Sequence, residues 1–162
     1  MEEREEGLEE QTTTNEAGKI TVDDAIEMIV GSNKELKAYW VNTIDEEYEG
    51  SYDENRQDLI DIITVVDYII EKYKCDDTAN LPEIFANIEA ALQDPTPETQ
   101  ELVVTGILEG LQNSCNMEQL DYHTGFNGWL GEKSKGYWDA LIYVHESNDP
   151  ADVKEDRIKT FL

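Results

Sequence analysis

The sequence predicts an all-α fold, a single-domain compact helical bundle of about six or seven helices, and three observations carry that expectation. From Thr21 onward, helix start signals recur so closely that almost no room is left for strands. Between them, apolar residues repeat at helical spacing. The composition, 39% apolar with eight Tyr and three Trp, supplies a core that a disordered chain lacks. A chain of 162 residues buries roughly 68 to 70% of its unfolded surface, enough for one core.

Residues 1–19 carry seven Glu against Arg4 and Lys19 and read as a solvated acidic tail, leaving 20–162 as the helical domain. Thr21 with Asp24 forms a capping box, and Val22, Ile26, Ile29 and Val30 share one face before Gly31 offers a stop. A second box, Ser32 to Glu35, opens a helix with Leu36, Tyr39, Trp40, Ile44 and Tyr48 in register, ending near Gly50. A third helix is expected from about Tyr52 to Lys74, apolar on nearly every side and therefore central.

Asn80 and Pro82 open a fourth helix with Ile84, Phe85, Ile88, Ala91 and Leu92 in one stripe. After the turn at Gln93, Asp94 and Pro95, Thr96 caps a fifth, with Pro97 where its missing N–H matters least. The pair reads as a HEAT-like helical hairpin, but no second copy at a fixed period argues for a solenoid. From Met117 to Gly136 periodicity weakens; a short helix and then an irregular aromatic, Gly-rich loop are expected before the last long helix, about Ser134 to His145. Asp149 and Pro150 start a final short one.

Charge bounds the function. Against 12 Lys and Arg stand 38 Asp and Glu, a net charge of −26, whereas solubility alone needs roughly 2 to 8 in magnitude. Such a surface repels nucleic acid and anionic membranes and attracts cationic protein. The competing explanation is an acidic background with no partner behind it. The start, MEEREEGLEE, has neither a basic nor an apolar run, and no 18-residue apolar stretch follows, which predicts a cytoplasmic protein. Cys75 and Cys115, 40 positions apart with only two His in the chain, predict buried or idle thiols in a reducing compartment and no zinc site.

Catalytic and metal signals are thin, so the expectation is no enzyme, no metal and no cofactor. Asp45 to Asp53 imitate part of a calcium loop, but its twelfth position, where a bidentate Glu belongs, is Arg56. No Walker loop, G-x-S-x-G or H-E-x-x-H is present. His145 falls on an apolar helical face as a core or boundary histidine, and His123 has no nucleophile near it in sequence.

Acids and aromatics coincide between Asp45 and Asp61, where eight acidic residues surround Arg56, Tyr48 and Tyr52. Acids at a helix start are favoured by its dipole, but Asp45, Glu46, Glu47 and Glu49 oppose the dipole at a helix end and point to an external counter-charge. Carboxylates at helical spacing, about 5 to 6 Å apart, roughly imitate a row of phosphates. The expected partner-binding set is Asp45, Glu46, Glu47, Tyr48, Glu49, Tyr52, Asp53 and Glu54, the tyrosines as anchors and the acids governing encounter.

In the C-terminal half, IFANIEAALQDPTPETQELVVTGILEGLQN and FNGWLGEKSKGYWDAL carry Gly106, Leu108, Glu109, Leu111, Gln112 and Asn113, then Trp129, Leu130, Gly131, Ser134 and Trp138. Over roughly Leu81 to Tyr143 this resembles a family of small all-helical bacterial immunity proteins encoded beside polymorphic toxins. The resemblance implies binding and neutralising a cognate toxin; the charge adds that the toxin domain is basic and fits a nuclease whose groove the acids cover. Glu109, Trp129, Gly131 and Trp138 are then scaffold, with Glu109 expected to hold the Gly-rich loop by accepting N–H bonds. The alternative is an acidic helical adaptor, a protein-interaction module with no inhibitory role.

Overall fold

The computed structural model describes residues 18–162, so the expected tail lies almost wholly outside the described residues. All regular structure among them is helical, apart from one bridge in which Ile20 pairs in parallel with Pro95. That bridge ties the chain entering α1 (Val22–Val30) to the turn that follows α6 (Leu81–Ala91). Thr21 and Asp24 close the expected capping box on α1. One residue separates expectation from outcome at α2 (Lys34–Tyr48). Asn33 is the cap, its Oδ1 accepting from Glu35 and Leu36 N–H, while the Ser32 hydroxyl turns back to the Ile29 carbonyl.

The third helix is not continuous. It is broken into α3 (Tyr52–Asn55), α4 (Asp58–Asp61) and α5 (Ile63–Lys74). The break is held by side chains whose sequence signal competes with an apolar run. Arg56 binds Asp23 at 2.7 Å and Asp58 at 2.9 Å and lies over the Tyr52 ring, while buried Asp61 accepts from the Gln57 N–H. Most of α5 is central: Val65, Val66, Tyr68, Ile69 and Ile70 are buried, while Ile63 and Asp67 face out, as do Leu59 and Ile60 of α4.

α6 lies chiefly on α1, with α9 (Glu132–Glu146) as its other main neighbour, so the fourth helix pairs most closely with the first. The expected fifth helix begins as α7 (Pro97–Glu101), widens into a π-helical segment, Leu102–Glu109, and resumes as α8 (Gly110–Met117). Its predicted stripe, Leu102, Val103, Ile107, Leu108 and Leu111, is wholly buried. Gly106 and Gly110 let the broken helix approach. A Cβ on Gly106 would stand 2.7 Å from the Ile62 Cγ2, and one on Gly110 3.2 Å from the Val66 Cγ2.

No short helix forms beyond Met117; turns fill the interval to Gly131, where three glycines and no apolar periodicity leave nothing to propagate a helix. The aromatic loop packs by its own side chains. Phe126, fully buried, stacks on Tyr73 at 4.6 Å and approaches Trp138 at 5.4 Å, while Trp129 stacks on Phe85 at 5.8 Å. α10 (Ala151–Ile158) closes against α9, and His145 near the end of α9 is exposed, not core.

Candidate functional site

Two assemblies contain the residues singled out in the sequence. The first is the edge made by the end of α2, α3 and the break after it. Glu49 turns the chain in the left-handed region at φ 50, Gly50 follows at φ 90, and the Ser51 hydroxyl donates to the Tyr48 carbonyl at 2.7 Å. Asp45, Glu46, Glu47, Glu49, Asp53 and Glu54 are all exposed, and among the described residues none is paired with a cation. Arg56, the one basic residue in the segment, is already engaged by Asp23 and Asp58.

The two tyrosines sit within the edge, half-buried, with their rings 5.4 Å apart and edge to face. The Tyr48 hydroxyl donates to Asp61 at 2.7 Å, and that bond, with burial second, pushes the phenol up to about 12. Tyr48 and Tyr52 therefore stiffen the edge and leave part of their rings exposed.

The second assembly is the start of α9. The sequence points to Glu109 as the carboxylate that holds the Gly-rich loop by accepting N–H bonds; where that loop enters α9, the acceptor is Glu89. One Glu89 oxygen accepts from the Lys133 N–H at 3.0 Å, the other from the Ser134 N–H at 2.9 Å and the Ser134 hydroxyl at 2.8 Å. Burial alone would raise the Glu89 carboxyl; these donors and Gln93 outweigh it and hold the group below its ordinary value. A carboxylate at a helix N-terminus is also where the dipole favours it. Gly131 is required there, because a Cβ would stand 2.5 Å from the Glu89 carboxylate. The signal that could have found Glu89 is a lone acid beside Ile88 and Ala91 on the apolar side of α6.

Glu109 instead meets His145, with Oε2 2.6 Å from Nε2. Trp138 is fully buried; its indole N–H donates to the Tyr122 carbonyl at 3.0 Å, and the Gln112 amide donates to the Trp138 carbonyl at 3.1 Å. His123 is exposed, stacks on Tyr122 and pairs with Glu146 at 2.9 Å, so each imidazole already has a carboxylate. The apparent calcium spacing dissolves because 45–48 are the last turn of α2. Among the described residues no group of three or more His, Cys, Asp or Glu could hold a metal ion, and no helix is long and apolar enough to cross a membrane. Cys75 is exposed and Cys115 buried, its thiol pushed up to about 12 by burial.

The chain belongs to the DUF7674 family, described as a domain of unknown function, whose profile matches residues 26–146. Both assemblies fall inside that span. No curated protein and no solved structure matches the chain.

Proposed function

We propose that this protein is a binder for a basic protein partner, acting in the cytoplasm, and that it serves as an immunity protein for a cognate toxin domain with nuclease activity. The observation that carries the reading is the row of six exposed carboxylates at 45–54, without cations among the described residues. Four of them lie at the helix end where the dipole disfavours them. Such an arrangement is locally unfavourable for the free chain and becomes favourable when an external cationic surface covers it. Covering the phosphate-binding groove of a nuclease would exclude its substrate without any chemistry by this chain. The immunity role itself rests on the sequence resemblance across 81–143.

The test is co-expression with the product of the adjacent reading frame, co-purification, and a nuclease assay on plasmid DNA with and without this chain. Copurification with loss of nuclease activity is the expected result. A stable complex whose partner keeps its activity would replace inhibition by the adaptor role, and no complex with any basic neighbour product would overturn both.

A further inference from the structure

We propose that the outward face of the broken third helix is a docking groove for a basic amphipathic helix of the partner protein, an inference that rests on the binding role above and specifies its contact. Leu59, Ile60 and Ile63 are 43, 58 and 46% exposed on one face of α4 and α5, while Ile62, Val65, Val66 and Ile69 are buried on the other. A helix apolar on both sides belongs inside a core, and here one side has no cover among the described residues. Beside Leu59 and Ile60 lies a groove of about 510 Å³, with Val22 and Leu102 among its apolar lining. A volume of that size suits a few anchoring side chains.

The rim decides the occupant. Asp58, Glu98 and Glu101 line the groove, and Asp67 stands one turn beyond Ile63 on the same outer face. Glu98, Glu101 and Asp67 are exposed and have no cation among the described residues; Asp58 is held by Arg56. An apolar floor inside an anionic rim is complementary to a segment with apolar side chains on one face and Lys or Arg on its flanks. A second copy, at −26, and the Glu-rich first 19 residues both carry the wrong sign.

Recognition by strand addition would need a sheet edge, and the described residues offer only the Ile20–Pro95 bridge. A groove between helices instead takes a helix through anchors spaced three and four residues apart. The acidic edge is also close in the chain: Asp53 and Glu54 of α3 precede Asp58 by a short break whose one cation, Arg56, is already bound by Asp23 and Asp58. A basic helix would be steered by the edge and held by Leu59, Ile60 and Ile63, so the acids would set its on-rate and the apolar contact its residence time.

The test uses the full chain and three labelled peptides of about four helical turns, read by fluorescence anisotropy. One is an amphipathic Leu/Lys helix, one has Glu in place of every Lys, and one is the Leu/Lys composition scrambled. The groove variant Leu59→Ser with Ile60→Ser, the single variant Ile63→Ser, and the edge variant Glu46→Lys with Glu47→Lys and Glu49→Lys are compared, with thermal midpoints verifying that each is folded. The amphipathic Leu/Lys peptide should bind, the Leu/Glu peptide should not, and the groove variant should bind about tenfold more weakly. Equal affinity for the scrambled peptide, or unchanged affinity in both groove variants, overturns the proposal. So does a dimer of the native chain that Ile60→Ser dissolves, since the occupant would then be a second copy. If the edge variant loses the peptide while the groove variants keep it, the groove fails and the acidic reading stands; the reverse supports the groove and removes the edge.

Discussion

Carboxylates at the start of α9 and at the end of α2 have opposite lives. Glu89 is wrapped by three donors from Lys133 and Ser134 and sits where a helix dipole favours negative charge. Asp45, Glu46, Glu47 and Glu49 face water at the unfavourable end of a helix, with no cation against them among the described residues. Both regions combine acids with aromatics, so composition does not separate them. The count of internal donors does: the first acid is committed to the fold, and the others take no donor among the described residues.

The sharpest way to break that contrast is to remove the committed carboxylate. Glu89→Ala strips the acceptor from two backbone N–H groups and a buried hydroxyl and should lower stability in urea by about 3 kcal/mol, with Glu89→Gln milder. Because folding holds the Glu89 carboxyl below its ordinary 4.5, its contribution is complete above that value and is lost as pH falls through the lower, folded one. Acid titration monitored by circular dichroism should therefore show a shallower stability loss below pH 4.5 in Glu89→Gln than in the native chain.

Next in size comes the packing that carries the broken helix beneath the exposed face. Gly106→Ala forces a methyl to within 2.7 Å of Ile62 and should cost about 2 kcal/mol; Gly110→Ala, at 3.2 Å from the nearer Val66 methyl, should cost less. Comparing the two midpoints in urea checks the order. The smallest effect on stability, and the one with the opposite sign, belongs to the edge. Glu46→Lys with Glu47→Lys should stabilise the free protein by roughly 0.3 to 1 kcal/mol through the α2 dipole while slowing association with a basic partner. A stability loss in that variant, measured by thermal unfolding, would show these acids to be held internally after all.

Much of the fold was legible in the sequence because its signals are local. Thr21 with Asp24, and Thr96 with Pro97, cap the helices expected of them, and the stripe from Leu102 to Leu111 is the buried one. The break after Asn55 was not legible, because Arg56 reaches back to Asp23 and Tyr48 forward to Asp61, contacts that no window of neighbouring residues contains. The exchange of Glu109 for Glu89 has the same cause. Both are acids beside leucine or isoleucine on a helix, and only the placement of α6 against α9 decides which one meets the N-terminal amides. At the edge, the exposure of the six acids followed from their number in one short stretch, whereas the inward pull on Tyr48 depended on a residue thirteen positions away.

The widened stretch Leu102–Glu109 lets the molecule answer to chain length in a way that ordinary substitutions do not probe. Each of its bonds spans one residue more than in the flanking α-helical turns, so it accommodates surplus chain without ending the helix. Deleting Thr105, exposed in that stretch, would let the wide turns contract toward regular winding, which takes up the loss and leaves Leu111 and Cys115 close to their present inward faces. Deleting Asn113, exposed in the regular turns of α8, meets no such slack and would rotate the residues after it by about 100°, turning Cys115 away from the interior. Of these two solvent-facing deletions, the one in α8 should thus be the more damaging.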